Sequence, residues 1–174
     1  MFKGTMALAV LVGIFIPALV QAASAPPATV TITATVDGFA EWANTAPAIV
    51  AADWTGHITQ ASQTRTVSLA NTLYTNVDTT ITPTAGTNSG ILTLGAQTLT
   101  TAYQITGSVD TPDVAYKVAA AGAGQFFNAG NTYVLTHVPG TGSYTVNLLA
   151  QMSSGVLAPD AGDYSCTVVL TASW

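Results

Sequence analysis

"SYTVNLLAQM", residues 143–152, decides the fold class. Tyr144, Val146, Leu148, Ala150 and Met152 fall at every second position. Successive side chains of a strand point to opposite faces, so this spacing predicts a long strand with one side in a core. "DYSCTVVLTASW", residues 163–174, repeats the pattern, with Tyr164, Cys166, Val168, Leu170, Ala172 and Trp174 in one phase. Both segments are expected as long strands in the middle of a core.

Weaker strand signals lead back from these two, near residues 64–70, 77–82, 91–94, 103–107, 114–119 and 132–138. "TAGTNSG", "LGAQ", "VDTPD", "AGAGQ", "VPGTG" and "LAPDAGD" separate them as turns. Threonine is the main polar residue of the strands, and its branched Cβ suits a half-buried pleated surface. No stretch beyond the N-terminal apolar run has a helical period, and no internal repeat occurs. Short strands at this spacing predict an all-β sandwich. Residues 38–63, with Trp42 and Trp54, read as a long loop with a short strand near 48–51.

The first residues have another character. Lys3 precedes the apolar run "MALAVLVGIFIPALV", and "VQA" ends at Ala22, the form of a secretory signal with a small-residue cleavage site. A type IV prepilin leader, cut after Gly4, is the alternative. Its retained helix carries an early Glu and runs on past the apolar part, whereas no acid precedes Asp37 and "SAPPATV" stops a helix at once. The expected organisation is a signal peptide over 1–22, an N-terminal segment over 23–37 and one β-sandwich domain over 38–174.

Without Lys3, only Arg65 and Lys117 stand against eight acidic residues. Such a surface cannot neutralise a phosphate backbone, so nucleic-acid binding is excluded. Charged residues make up 6% of the chain, so Thr, Ser, Asn and Gln must cover the outside, as in a wall component rather than a cytosolic enzyme. With 49% hydrophobic residues in a regular pattern, the chain is not disordered. The single cysteine, Cys166, cannot form an intramolecular disulfide, so it is expected as a buried apolar thiol and the fold must be held by its core or by a partner.

No catalytic constellation emerges. His57 and His137 have no acid or cysteine at ligand spacing, so no metal site is expected. "GTGS" at 140–143 lacks the Lys of a phosphate-binding loop, and "GAGQ" at 122–125 precedes no helix. Asp110 with Asp113, and Asp160 with Asp163, are too sparse in oxygens for a good calcium site and read as turn formers. Trp42 and Trp54 could stack on a sugar, but nothing polar is arranged around them and core or edge packing is the simpler reading. We therefore expect no enzyme activity, no cofactor and no small-molecule substrate: a chain that works by shape and assembly.

"ATVTITATVDGF", residues 28–39, then stands out. Val30, Ile32, Ala34 and Val36 point one way and Thr29, Thr31, Thr33 and Thr35 the other. With the ending "LAPDAGDYSCTVVLTASW", a Pro-x-Ala-Gly-x-Tyr turn before an alternating last strand, it resembles the fimbrial major subunits of the chaperone–usher type. The alpha-class colonisation-factor fimbriae are the nearest, and "TASW" is similar to the common-pilus subunits. The likeness is carried by the two ends; between them it is one of strand order and turn spacing. Cys166 departs from the alpha-class pattern.

The resemblance implies an immunoglobulin-like sandwich lacking one strand and completed by a donor strand from a neighbouring subunit. Val30, Ile32, Ala34 and Val36 would form the donor face, and Tyr164, Cys166, Val168 and Leu170 the core face of the final strand. It also implies identical subunits as partners in a homopolymer, a periplasmic chaperone, an outer-membrane usher, and an extracellular location that supports adhesion or biofilm. The same alternation serves two other readings. Residues 28–36 could be the first strand of a self-complete secreted sandwich of a surface coat or biofilm matrix, similar to spore-coat-U-like proteins. A carbohydrate-binding module using Trp42 and Trp54 is the third.

Overall fold

The computed structural model describes residues 31–110 and 115–174. The chain divides into two units between Thr35 and Val36. Of the first, residues 31–35 are described; they are exposed and belong to no strand. Residues 1–30, with the expected signal peptide and Val30, lie outside the described residues, as do residues 111–114 with Asp113.

The second unit is all-β, with ten strands, two short 3₁₀ turns and no α-helix among its described residues. The strands are β1 (Ala40–Trp42), β2 (Thr64–Thr75), β3 (Thr79–Ala85), β4 (Thr93–Leu94), β5 (Gln97–Thr98), β6 (Thr100–Gly107), β7 (Lys117–Val118), β8 (Tyr133–Leu135), β9 (Ser143–Ser153) and β10 (Val168–Ser173). A five-stranded sheet has the order β1-β2-β9-β6-β7, and a three-stranded sheet the order β10-β3-β8. All pairings are antiparallel, and β4 and β5 form a small separate hairpin.

β9 is the centre of the large sheet and the long, one-sided strand that its alternation predicted. It pairs with β2 from Thr64↔Ser153 to Tyr74↔Ser143 and with β6 from Thr100↔Ser153 to Gly107↔Val146. Two poles follow: one at Thr64, Ser153 and Thr100, the other at Thr75, where the Thr75 N–H donates to Gly142 O. β3 starts from the Thr75 pole after a tight turn and runs back. β10 runs the opposite way, from Val168 beside Ala85 to Ser173 beside Thr80.

The core forms where the inner faces of the two sheets meet. Leu73, Ile81, Ile105, Leu135 and Phe126 are fully enclosed, with Tyr103, Tyr133 and Val146 almost so. Tyr103, Phe126 and Phe127 stack with centroids 5.1–5.9 Å apart, in the tilted and edge-on arrangements that aromatic quadrupoles favour. No buried side-chain nitrogen or oxygen among the described residues lacks a hydrogen-bond partner.

Four local expectations are corrected. The final strand begins at Val168 rather than 163, and it lies at a sheet edge with its inward residues half-buried rather than in the middle of the core. Its lead-in is held by an isolated bridge between Ser165 and Thr93. Residues 48–51 form no strand; the short strand of that loop is β1, and Ala51–Asp53 make a 3₁₀ turn. β2 and β3 run beyond residues 70 and 82, to Thr75 and Ala85. In this single chain, residues 31–36 form no strand.

A left-handed corner leads towards the hairpin. Asn88, Ser89 and Gly90 follow one another at φ 53°, 51° and 70°. The corner docks on the lead-in to β10: Asn88 Nδ2 donates to Ser165 O at 2.8 Å and the Thr87 N–H to Thr167 Oγ1 at 2.6 Å. Gly90 O accepts from the Tyr103 hydroxyl at 2.7 Å, and that hydroxyl also lies 3.2 Å from Cys166 Sγ. A Cβ on Gly90 would fall 2.5 Å from the Phe127 ring.

Two predictions arise from this corner. Gly90→Ala must strain the left-handed backbone and displace a buried ring, and should cost roughly 2–3 kcal/mol. Gly95→Ala, at φ 56° with open space around it, should cost only about 1 kcal/mol. Urea midpoints of the two variants check the order.

Cys166 gives the second. Burial raises its thiol pKa, and the Tyr103 hydroxyl offsets part of that rise. The native thiol is therefore neutral at pH 7 and should react slowly with maleimide until urea is added. In the unfolded chain the thiol ionises near its ordinary value, about 8.5. A raised native value thus contributes stability that is full below that pH and is lost as pH rises through the native value. Urea midpoints measured from pH 7 to 10 should fall above about 8.5, and Cys166→Ala should flatten the thiol part of that fall.

Candidate strand-acceptor edge

The two sheets differ in width, and the difference has a location. One inner row of the large sheet runs Leu69, Leu148, Ile105 across β2, β9 and β6. Ile105 is fully buried, whereas Leu148 and Leu69 are only half-buried. The cover therefore thins from β6 towards β2. The facing side is the β10 edge of the small sheet, where Val168, Leu170 and Ala172 are also half-buried against the core. Trp42, Ile49 and Trp54 border the same core in the same half-buried state.

β10 has β3 on one side and, among the described strands, none on the other. The β8 edge is better protected. The Asp110 N–H donates to Val134 O at 2.6 Å, and the Thr136 hydroxyl donates to the Asp110 carboxylate. β10 is thus the edge of this sheet left for pairing.

Pro83 sets the phase of that edge. Proline has no N–H, so Leu170↔Pro83 must be a non-hydrogen-bonded pair. Antiparallel pairs alternate, so Val169, Thr171 and Ser173 bond to β3. The lead-in obeys the same phase, since Thr167 O accepts from the Gly86 N–H at 3.0 Å. The backbone groups of Val168, Leu170 and Ala172 therefore point outward from the sheet, while their side chains face the core. A strand added here would meet three open backbone positions, and its inward side chains would join an incompletely covered apolar face.

The residues expected to matter are distributed as follows. Tyr164, Cys166, Val168 and Leu170 keep the expected alternation and are all half-buried, but the first two lie before β10 begins. Ile32 and Val36 are 88% and 82% exposed, and Ala34 is exposed as well. His57 is exposed and its carbonyl accepts from Arg65 Nε at 3.1 Å. His137 Nδ1 lies 3.0 Å from the Tyr144 hydroxyl, and its main-chain N–H donates to Asp78. Tyr164 donates to the Asp160 carbonyl across the turn. No group of three or more potential metal ligands occurs among the described residues. Ile49 and Leu69 lie in segments expected as strands, near 48–51 and 64–70, but nothing singled them out for the site; Leu69 sits at the correct period-two position in β2, and half-burial leaves no mark in the pattern.

Compared with protein-family models, with curated proteins and with solved structures, the chain matches none.

Proposed function

We propose that this chain is the structural subunit of an extracellular fimbria or pilus, built head to tail by donor-strand exchange and supporting adhesion or biofilm. The observation that carries the reading is the β10 edge: three outward backbone positions above an apolar face that its own sheet leaves half-covered. The exposed, alternating segment around Ile32 and Val36 has the complementary character. In this reading the domain is an immunoglobulin-like sandwich short of one strand. The segment is exported behind a cleaved signal peptide, with a periplasmic chaperone and an outer-membrane usher as helpers.

Connectivity favours one direction of addition. The donor segment joins its own body at Val36, beside β1 at the Thr75 pole. Stacked head to tail, that pole faces the Thr64 pole of the next subunit, where β10 begins. The donor then runs antiparallel to β10, with Val36 opposite Val168, Ile32 opposite Ala172 and Val30 beyond them at the level of Trp174. In that register Val30, Ile32, Ala34 and Val36 face the core, and the backbone groups of Val36, Ala34 and Ile32 meet those of Val168, Leu170 and Ala172 in turn. A slip of one residue would turn threonines inward. Burying Val30, Ile32 and Val36 contributes up to about 5–9 kcal/mol, before any ladder hydrogen bonds.

Ile32→Asp should abolish filaments seen by electron microscopy while the secreted yield of the body is unchanged, because a carboxylate in an apolar pocket costs several kcal/mol. Thr33→Asp, on the opposite face, should assemble. A self-complete sandwich predicts instead that Ile32→Asp lowers the yield itself. Normal assembly by both variants would remove residues 29–36 from either role.

A further inference from the structure

Lys117 and Asn131 bridge the two sheets away from the open edge. Lys117 is the first residue of β7 and pairs with Tyr103 of β6. Asn131 stands two residues before β8, the other edge strand of the small sheet. Lys117 Nζ donates to Asn131 Oδ1 at 2.8 Å. The amide is held by its other end. Asn131 Nδ2 donates to Phe126 O at 2.9 Å and to the Tyr133 hydroxyl at 3.0 Å. The Asn131 main-chain N–H donates to Asn128 O, also at 2.9 Å. The carbonyl of the Asn131 amide is thereby fixed towards the amine. Tyr103, Phe126 and Tyr133, the residues that pair or bond with the two, are all buried.

A carbonyl bond is about 1.23 Å long, so Nζ lies within about 4 Å of Asn131 Cγ. Attack on that carbon needs an approach of about 3–3.5 Å, and the flexible four-carbon lysine stem supplies the difference. An amine and an amide kept at this distance have already lost the freedom that a bimolecular encounter would cost. A shallow cleft of about 250 Å³, walled in part by Lys117, Gln125, Asn128 and Asn131, opens the pair to solvent on one side.

We infer that Lys117 and Asn131 join in an intramolecular isopeptide bond. Nζ, as the amine, attacks Cγ, and the Cγ–Nδ2 bond breaks. The Tyr133 hydroxyl beside Nδ2 passes a proton to the departing nitrogen, and the proton that Nζ sheds restores the hydroxyl. Nδ2 leaves as ammonia through the cleft. Overall, a lysine ammonium and a primary amide become a secondary amide and an ammonium ion, so atoms and charge balance with no co-reactant. The bond fastens the large sheet at β7 to the small sheet just before β8. It does so in a chain whose single cysteine offers no intramolecular disulfide. No residue of β10 or of the donor segment takes part, so the bond stands apart from the subunit reading.

Trypsin reads the bond directly. Lys3, Arg65 and Lys117 are the chain's only cleavage points, and a lysine acylated at Nζ is not cut. The intact protein is incubated folded for several days, unfolded in urea, digested and weighed by mass spectrometry. The expected product is a single fragment, 66–174, lighter than its sequence by one ammonia. Fragments 66–117 and 118–174 at their full masses overturn the inference. Lys117→Arg should restore the cut, and Asn131→Ala should restore both the cut and the full mass. An uncut, light fragment from Asn131→Ala also overturns the inference. Tyr133→Phe, which keeps the buried ring, should link at least about tenfold more slowly. Linkage of Tyr133→Phe at the parent rate overturns the proton relay.

Discussion

The register of β2 on β9 is the constraint from which the rest of the structure follows. It runs unbroken from Thr64↔Ser153 to Tyr74↔Ser143, so it decides at once which side of the large sheet is inner. A shift of one residue would bring Thr66, Ser68 and Thr72 into the core and turn Val67, Leu69 and Leu73 to water. With the face fixed, the row Leu69–Leu148–Ile105 must find cover, and the small sheet reaches only part of it. The half-buried state of Leu69 and Leu148 is the residue of that shortfall, and β10 stands at its border.

A chain with so few charges must satisfy its polar groups by other means. Hydroxyls and amides finish the backbone where the ladders end. Thr75 Oγ1 sits buried between Phe39 O at 2.8 Å, Val77 O at 2.9 Å and Thr79 Oγ1 at 3.0 Å, joining the entry of β1 to the β2–β3 turn. Ser154 does the same work at the other pole, accepting from the Gln63 N–H and donating to Gln60 O, both at 2.9 Å. Short side chains lose little rotamer freedom on ordering, which suits them to buried junctions of this kind.

The central strands were legible because alternation survives wherever one face is buried and the other wet. Tyr144, Val146 and Ala150 stood out for that reason. Edge and centre share the same alternation, so the sequence of β10 said nothing of its place at the margin. β1 was hidden because three residues, Ala40–Trp42, are too few for a period to register. The expected strand 77–82 ends just before Pro83, yet β3 continues through it to Ala85, because a proline fits a strand wherever its missing N–H faces a non-bonded pair. The corner at Asn88–Gly90 was visible only as turn composition; the demand for glycine at position 90 comes from Phe127, far along the chain. The candidate edge was legible only through the occupant proposed for it, residues 29–36, because incomplete cover is a property of two sheets together.

The pairing of β10 with β3 has a consequence for the time course of folding. Residues 80–85 wait for residues 168–173, so the small sheet closes only after most of the chain has found its place. Contacts between such distant segments delay folding, because chain entropy is lost before any pair rewards it. β3 holds only the short β8 until then, and during that interval its other flank is open to any extended segment that reaches it. The speed with which the last residues arrive thus sets how long each newly made molecule stays vulnerable to pairing with the wrong strand.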